Sequence, residues 1–270
     1  MPPGILPEKK TAFQLTALLL LFVSHLHFSY DFYYAWWYSA LGFLLVCFFG
    51  WLVWGSSFRR VGGLSIRGKD LFYVLLTTVF SFTISFLLIW FLASGRGIVL
   101  SMHSVQSYVH DVFYILNEEI ILGSLLLYLL VHKLNMAPLL SSAALALAVA
   151  VLHLVFYKWV FRDPGYLHSG ALLSLFLTAL LKNNLILHSR HIGYAWAIHF
   201  GWMVVMFGSE HLYGTNGQRL TDLEKFNYYL GSPITVILSL LLAGGSTWLL
   251  VRSGRSLVPA VTTLRNRQSE

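Results

Sequence analysis

A single cysteine, Cys47, leaves no partner for a disulfide within the chain and no set of thiolates for a metal. It lies in an apolar run, where a free cysteine behaves as one more small hydrophobe. Charge is scarce as well. Only 11% of the residues are charged while 57% are hydrophobic, and mean hydropathy is +0.69. That balance excludes an ordinary soluble domain and a disordered chain. Short alternating strands between turn signals are missing, which argues against a transmembrane β-barrel. The net charge of +7 comes from basic residues at the flanks of apolar runs, so nucleic acid is not an expected partner. There is no H-E-x-x-H, no G-x-S-x-G and no internal repeat, so zincin, serine-hydrolase and inverted-repeat transporter signatures are all lacking.

What is present is a series of apolar windows of about 17–23 residues, long enough to cross a bilayer. They predict an all-α polytopic membrane protein of about eight helices. The windows are Phe13–Phe28, Tyr33–Trp54, Leu71–Ala93, Tyr108–Val131, Pro138–Tyr157, Gly170–Leu187, Ile192–Gly208 and Pro233–Val251. The first follows Lys9 and Lys10 as a signal peptide would. It lacks a small-x-small cleavage site and is read as retained. Thirteen of the 18 Lys and Arg residues fall on the side of the termini, Lys182 among them, and five on the other. The positive-inside rule then puts both termini in the cytoplasm of a multi-pass cell-membrane protein. The organisation expected is three helices over 1–107, a core of four over 108–208, and over 209–270 an external loop, a last helix and a basic cytoplasmic tail.

Inside the fourth window stand two adjacent carboxylates, Glu118 and Glu119. Each costs about 2.5–3.5 kcal/mol near mid-bilayer if priced like Asp, and such a residue marks function by default. At helical spacing His110, Asp111, Tyr114 and Glu118 share one face. Glu119 turns about 100° away, so Glu118 is the one expected to face a polar cavity. No Lys or Arg reads as deep in any window. The next window holds His153 and the seventh holds His199; His25 and His27 fall at the end of the first and read as solvated. Two histidines and a glutamate suit zinc in donor type. Neither histidine has a second ligand at i+4, so chemistry without metal or cofactor is expected.

Three segments read EEIILG (Glu118–Gly123), VAVLH (Val149–His153) and HFGWM (His199–Met203), spaced by 35 and then 46 residues. This order resembles the CAAX-protease and bacteriocin-processing family of glutamic intramembrane proteases, over residues 108–208. The family pattern is E-E-x-x-x-R, F-x-x-x-H and H-x-x-x-N. Here Gly123 stands for the arginine, Val149 for the phenylalanine and Met203 for the asparagine. The resemblance implies catalytic roles for Glu118, Glu119, His153 and His199. Glu118 with His153 would activate a water, and His199 would donate to the oxyanion. Met203 has no proton to donate. The implied partner is a membrane-anchored or lipidated peptide substrate. A catalytically inactive peptide-binding or immunity factor is the competing expectation, motivated by Gly123 and Met203. A proton relay is a third, disfavoured by the apolar stretch Ala143–Leu152.

Overall fold

The structure is a computed structural model that describes residues 7–27, 36–98, 105–156, 166–206 and 220–254. It is all-helical, and no strand occurs among the described residues. The helices are α1 (Pro7–Leu26), α2 (Trp36–Trp54), α3 (Phe58–Val61), α4 (Gly68–Ser94), α5 (Val105–Glu118), α6 (Leu127–His132), α7 (Pro138–Phe156), α8 (Ser169–Ser189), α9 (Gly193–Met206), α10 (Asp222–Lys225) and α11 (Pro233–Arg252). Each predicted window falls on a helix. Among the described residues, five stretches are long and apolar enough to cross a membrane: Trp37–Val61, Gly68–Ser94, Tyr108–His132, Ser169–Ser189 and Pro233–Arg252.

The helix ends have visible local causes. Pro138 opens α7 and Pro233 opens α11, where a missing N–H costs nothing. Ser232 caps α11 by accepting from the Thr235 N–H at 3.2 Å. The chain leaves α8 through Arg190 in a left-handed conformation, φ +64°.

Polarity is distributed inside out. Leu71, Phe72, Leu75, Leu76, Val79 and Phe80 on α4 are each half exposed or more, as are Ile237, Leu240 and Leu241 on α11. Apolar outer faces of this extent suit lipid rather than water. The polar groups lie between helices. Asn184 of α8 accepts from Ser142 of α7 at 2.7 Å and donates to Thr247 of α11 at 2.9 Å. Interhelical bonds of this kind hold helices together where apolar burial gives no preference. Helix α8 therefore sits centrally, against α7, α9 and α11, while α4 runs along α9 and α2 along α5. Gly201 permits the α4–α9 approach: a Cβ there would stand 2.7 Å from the Phe82 nitrogen.

The predicted external loop differs from expectation in its second half; residues 209–219 and the basic tail beyond Gly254 lie outside the described residues. After a capping box, with Glu224 N–H donating to Thr221 at 3.2 Å and Thr221 N–H to Glu224 at 2.7 Å, the chain forms α10 and a π-helical turn, Phe226–Leu230. Leu223, Phe226, Tyr229 and Leu230 recur at three- and four-residue spacing, and all are buried. That apolar face draws the segment onto the bundle.

Candidate active site

Helix α5 continues without a break into a π-helical segment, Glu119–Leu126, and then α6. π-helical turns are rare and occur often at functional sites. The change of register begins at Glu119 and bears on the sequence expectation directly. Both glutamates direct a carboxylate oxygen to the same place. Their Oε1 atoms and the Nδ1 of His199 on α9 all lie within 4.8 Å of one another. Glu119, expected to turn away, is the more deeply placed, at 2% exposure.

The place where they meet is occupied by a cation. Lys182, on the buried side of α8, is 7% exposed. Its Nζ lies 2.6 Å from Glu119 Oε1, 3.0 Å from His199 Nδ1 and 3.7 Å from Glu118 Oε1. The expectation that no Lys or Arg lies deep in a helix is thus overturned. Lys182 falls five residues inside the predicted sixth window, and a lysine so close to a helix end ordinarily extends its amine to the interface. Here it turns inward because two carboxylates would otherwise be buried without a counter-charge.

Gly123 completes the local account. A Cβ at this position would come within 2.9 Å of both Glu119 Oε2 and Ile186 Cδ1. A larger residue here would require the ends of the Glu119 and Ile186 side chains to shift.

The protons in this cluster obey a constraint. His199 Nδ1 is 2.8 Å from Glu119 Oε1 as well as 3.0 Å from Lys182 Nζ. One ring nitrogen cannot donate to the carboxylate and accept from the ammonium at once. Either Nδ1–H donates to Glu119 and Nε2 carries the lone pair, or Nδ1 accepts from Lys182 and Nε2 carries the proton. In both cases Lys182 donates to Glu119.

Glu118 is held less tightly. Its Oε1 is 3.7 Å from Lys182 Nζ and 3.8 Å from His199 Nδ1. It interacts electrostatically with four groups on four helices: His199, Lys182, His25 and His153. His153 has its Nδ1 2.7 Å from the Val149 carbonyl, one turn back on α7. Nδ1–H is therefore the donor to that carbonyl, and Nε2 is left as the lone-pair nitrogen. The His153 ring lies 5.9 Å from Phe226 of the docked π-turn.

Of the four residues chosen from sequence, Glu118, Glu119 and His199 meet, and His153 interacts with Glu118 electrostatically. A small, partly open cleft is lined by Glu118, Glu119, Gly123, Val149, Lys182 and Asn183, among others; His153 and His199 do not line it. Sequence reasoning missed Lys182 and His25. The first carried a signal, a charge inside an apolar window. The second carried only its spacing from other residues on α1. Glu118, Glu119 and His199 have the donor types of a divalent-metal site. The Lys182 ammonium already stands among those three atoms, so an ion there would have to displace a bonded cation. Compared with protein-family models, curated proteins and solved structures, the chain matches none of them.

Proposed function

We propose that the chain is an intramembrane glutamic endopeptidase that hydrolyses a peptide bond in a membrane-anchored or lipidated protein or peptide. The observation that supports this reading is the meeting of Glu118 and His199, from two helices, with one buried cation at a cleft, His153 interacting with Glu118 electrostatically. Glu118, paired with Lys182 at 3.7 Å and so less tightly than Glu119, is the base: it takes a proton from a water held with the lone pair of His153 Nε2, and later returns it to the leaving amine. Glu119 stays ionised and anchors Lys182. Lys182 donates to His199 Nδ1, which leaves Nε2–H to donate to the developing oxyanion. Lys182 is in this account a positioning residue that selects the histidine tautomer.

The reading includes eight membrane-crossing helices with both termini in the cytoplasm of a cell-membrane protein. Removing the buried Lys182 from the cytoplasmic side leaves twelve basic residues against five, and the bias keeps its sign. Arg162→Cys and Arg219→Cys, each made with Cys47→Ser, should react with an impermeant maleimide on intact cells. Protection at both positions would overturn the orientation.

The experiment that tests the activity compares protein termini in membrane and secreted fractions of cells carrying the wild-type chain or Glu118→Ala at equal abundance. Termini that depend on Glu118 name the substrate. Identical termini, with a phenotype on deletion of the whole gene, select the second reading: an inactive chain that binds such peptides. Met203, with no donor where the motif has one, favours that reading.

A further inference from the structure

We infer that His25, on α1, is a member of the site: a positioning residue that faces Glu118 and holds it in place for proton transfer. The inference rests on the reading of Glu118 as the base. It brings α1 into a site that the sequence motifs confine to residues 108–208.

Helix α1 has one buried stripe, Gln14, Leu18, Leu21 and His25, each 5% exposed or less. The four-, three- and four-residue spacing puts them on one face, and α1 contacts α5 and the π-helical segment that follows it. At the end of this stripe the His25 ring lies 5.1 Å from the Tyr114 ring. Tyr114 precedes Glu118 by one helical turn, and side chains at i and i+4 are neighbours, with about 5–6 Å between their Cβ atoms. Contact with Tyr114 places His25 about one helical turn from Glu118, with which it interacts electrostatically.

The division of partners between the two carboxylates gives the contact a purpose. Glu119 takes the short contacts to Lys182 and His199, whereas Glu118 stands 3.7 Å or more from both. Glu118 also interacts electrostatically with His25 from α1 and His153 from α7, neither of them directly bonded to it. His153 is engaged with the Val149 carbonyl through Nδ1. His25 thus supplies a polar partner to the carboxylate that must move a proton. Among the described residues, the ionisable groups near His25 include Tyr114, in ring contact, and Glu118, His110 and His199, which act on it electrostatically.

The test uses the full chain in detergent micelles with ¹⁵N-labelled histidine, the His25 ring signals being assigned through His25→Gln. In Glu118→Gln the His25 ring signals should move. In Asp70→Asn, whose carboxylate instead acts on His191 and Tyr194, they should stay. Ring signals that do not respond to Glu118→Gln overturn the assignment. The second measurement is turnover on a substrate found from Glu118-dependent termini. His25→Leu should lower kcat about 10–100-fold, the range for outer-shell partners, with KM little changed, and His25→Gln should recover part of the loss. Equal loss in both variants, or a loss in KM alone, overturns the positioning role. If Glu118→Gln moves the His25 signals yet leaves cleavage intact, the hydrolytic reading fails while the His25–Glu118 contact stands.

Discussion

Lys182→Met is expected to destabilise the folded bundle by about 3–5 kcal/mol, the cost of removing one partner from a buried ion pair. The reason lies in the burial of what remains. Glu119, 2% exposed, would keep its place between α8 and α9 with no cation within bonding distance. Its charge would have to be extinguished by taking up a proton, or the helices would have to part to admit water. The same change frees His199 Nδ1 from Lys182, so the ring loses the contact that selects its tautomer. Thermal unfolding in detergent of the wild type, Lys182→Met, Glu119→Gln and the double variant measures the effect. The double variant should recover only part of the loss, because it neutralises Glu119 but leaves Glu118 without the cation 3.7 Å away. A single variant as stable as the wild type would show that the pair contributes nothing. This result stands apart from the catalytic reading, since it depends only on burial and on the 2.6 Å contact.

The contrast between Glu118 and Glu119 shows what the sequence made legible and what it withheld. The apolar windows located the helices because hydropathy over a turn-rich length needs no tertiary information. The sequence singled out Glu118, His153 and His199, and the structure brings Glu118 within 3.8 Å of His199. Which carboxylate lies deepest did not, because an ideal helix places neighbours about 100° apart and the π-helical register starts at Glu119. Lys182 looked like an interfacial residue because its distance from the helix end allows either direction. Only the two carboxylates on a helix distant in sequence determine that it turns inward. His25 reads as the end of a hairpin until the Gln14–Leu18–Leu21–His25 stripe meets α5 and the π segment. Residues 220–230 looked like loop because scattered apolar residues among polar ones make a weak signal over so short a length, and the burial of Leu223, Phe226, Tyr229 and Leu230 depends on packing against α8 and its neighbours. In each case the missing information was a contact between segments far apart in the chain.

Met203→Asn is expected to raise turnover about 100–1,000-fold, the inverse of the usual loss when one oxyanion donor is removed. Met203 lies one turn beyond His199 on α9, and its side chain is partly buried. A thioether at this position offers a weak acceptor to a developing negative charge; an amide offers N–H donors. Asparagine is also the smaller side chain, so the exchange introduces no overpacking. The neighbouring Trp202 has a buried indole N–H with no hydrogen-bond partner among the described residues. If that N–H already serves the oxyanion, the gain at Met203 will fall to the low end of the range and Trp202→Phe will lower the wild-type rate. The measurement is single-turnover cleavage of the substrate identified from Glu118-dependent termini, with Glu118→Gln as the zero. A rate that rises with asparagine marks the chain as a slow protease limited at its oxyanion site. If Met203→Asn and the wild type both fail to cleave while still binding the peptide, adding the donor has not restored the reaction. Lys182 would then be reread as a structural counter-ion that neutralises Glu119, and the pocket as a peptide-binding site.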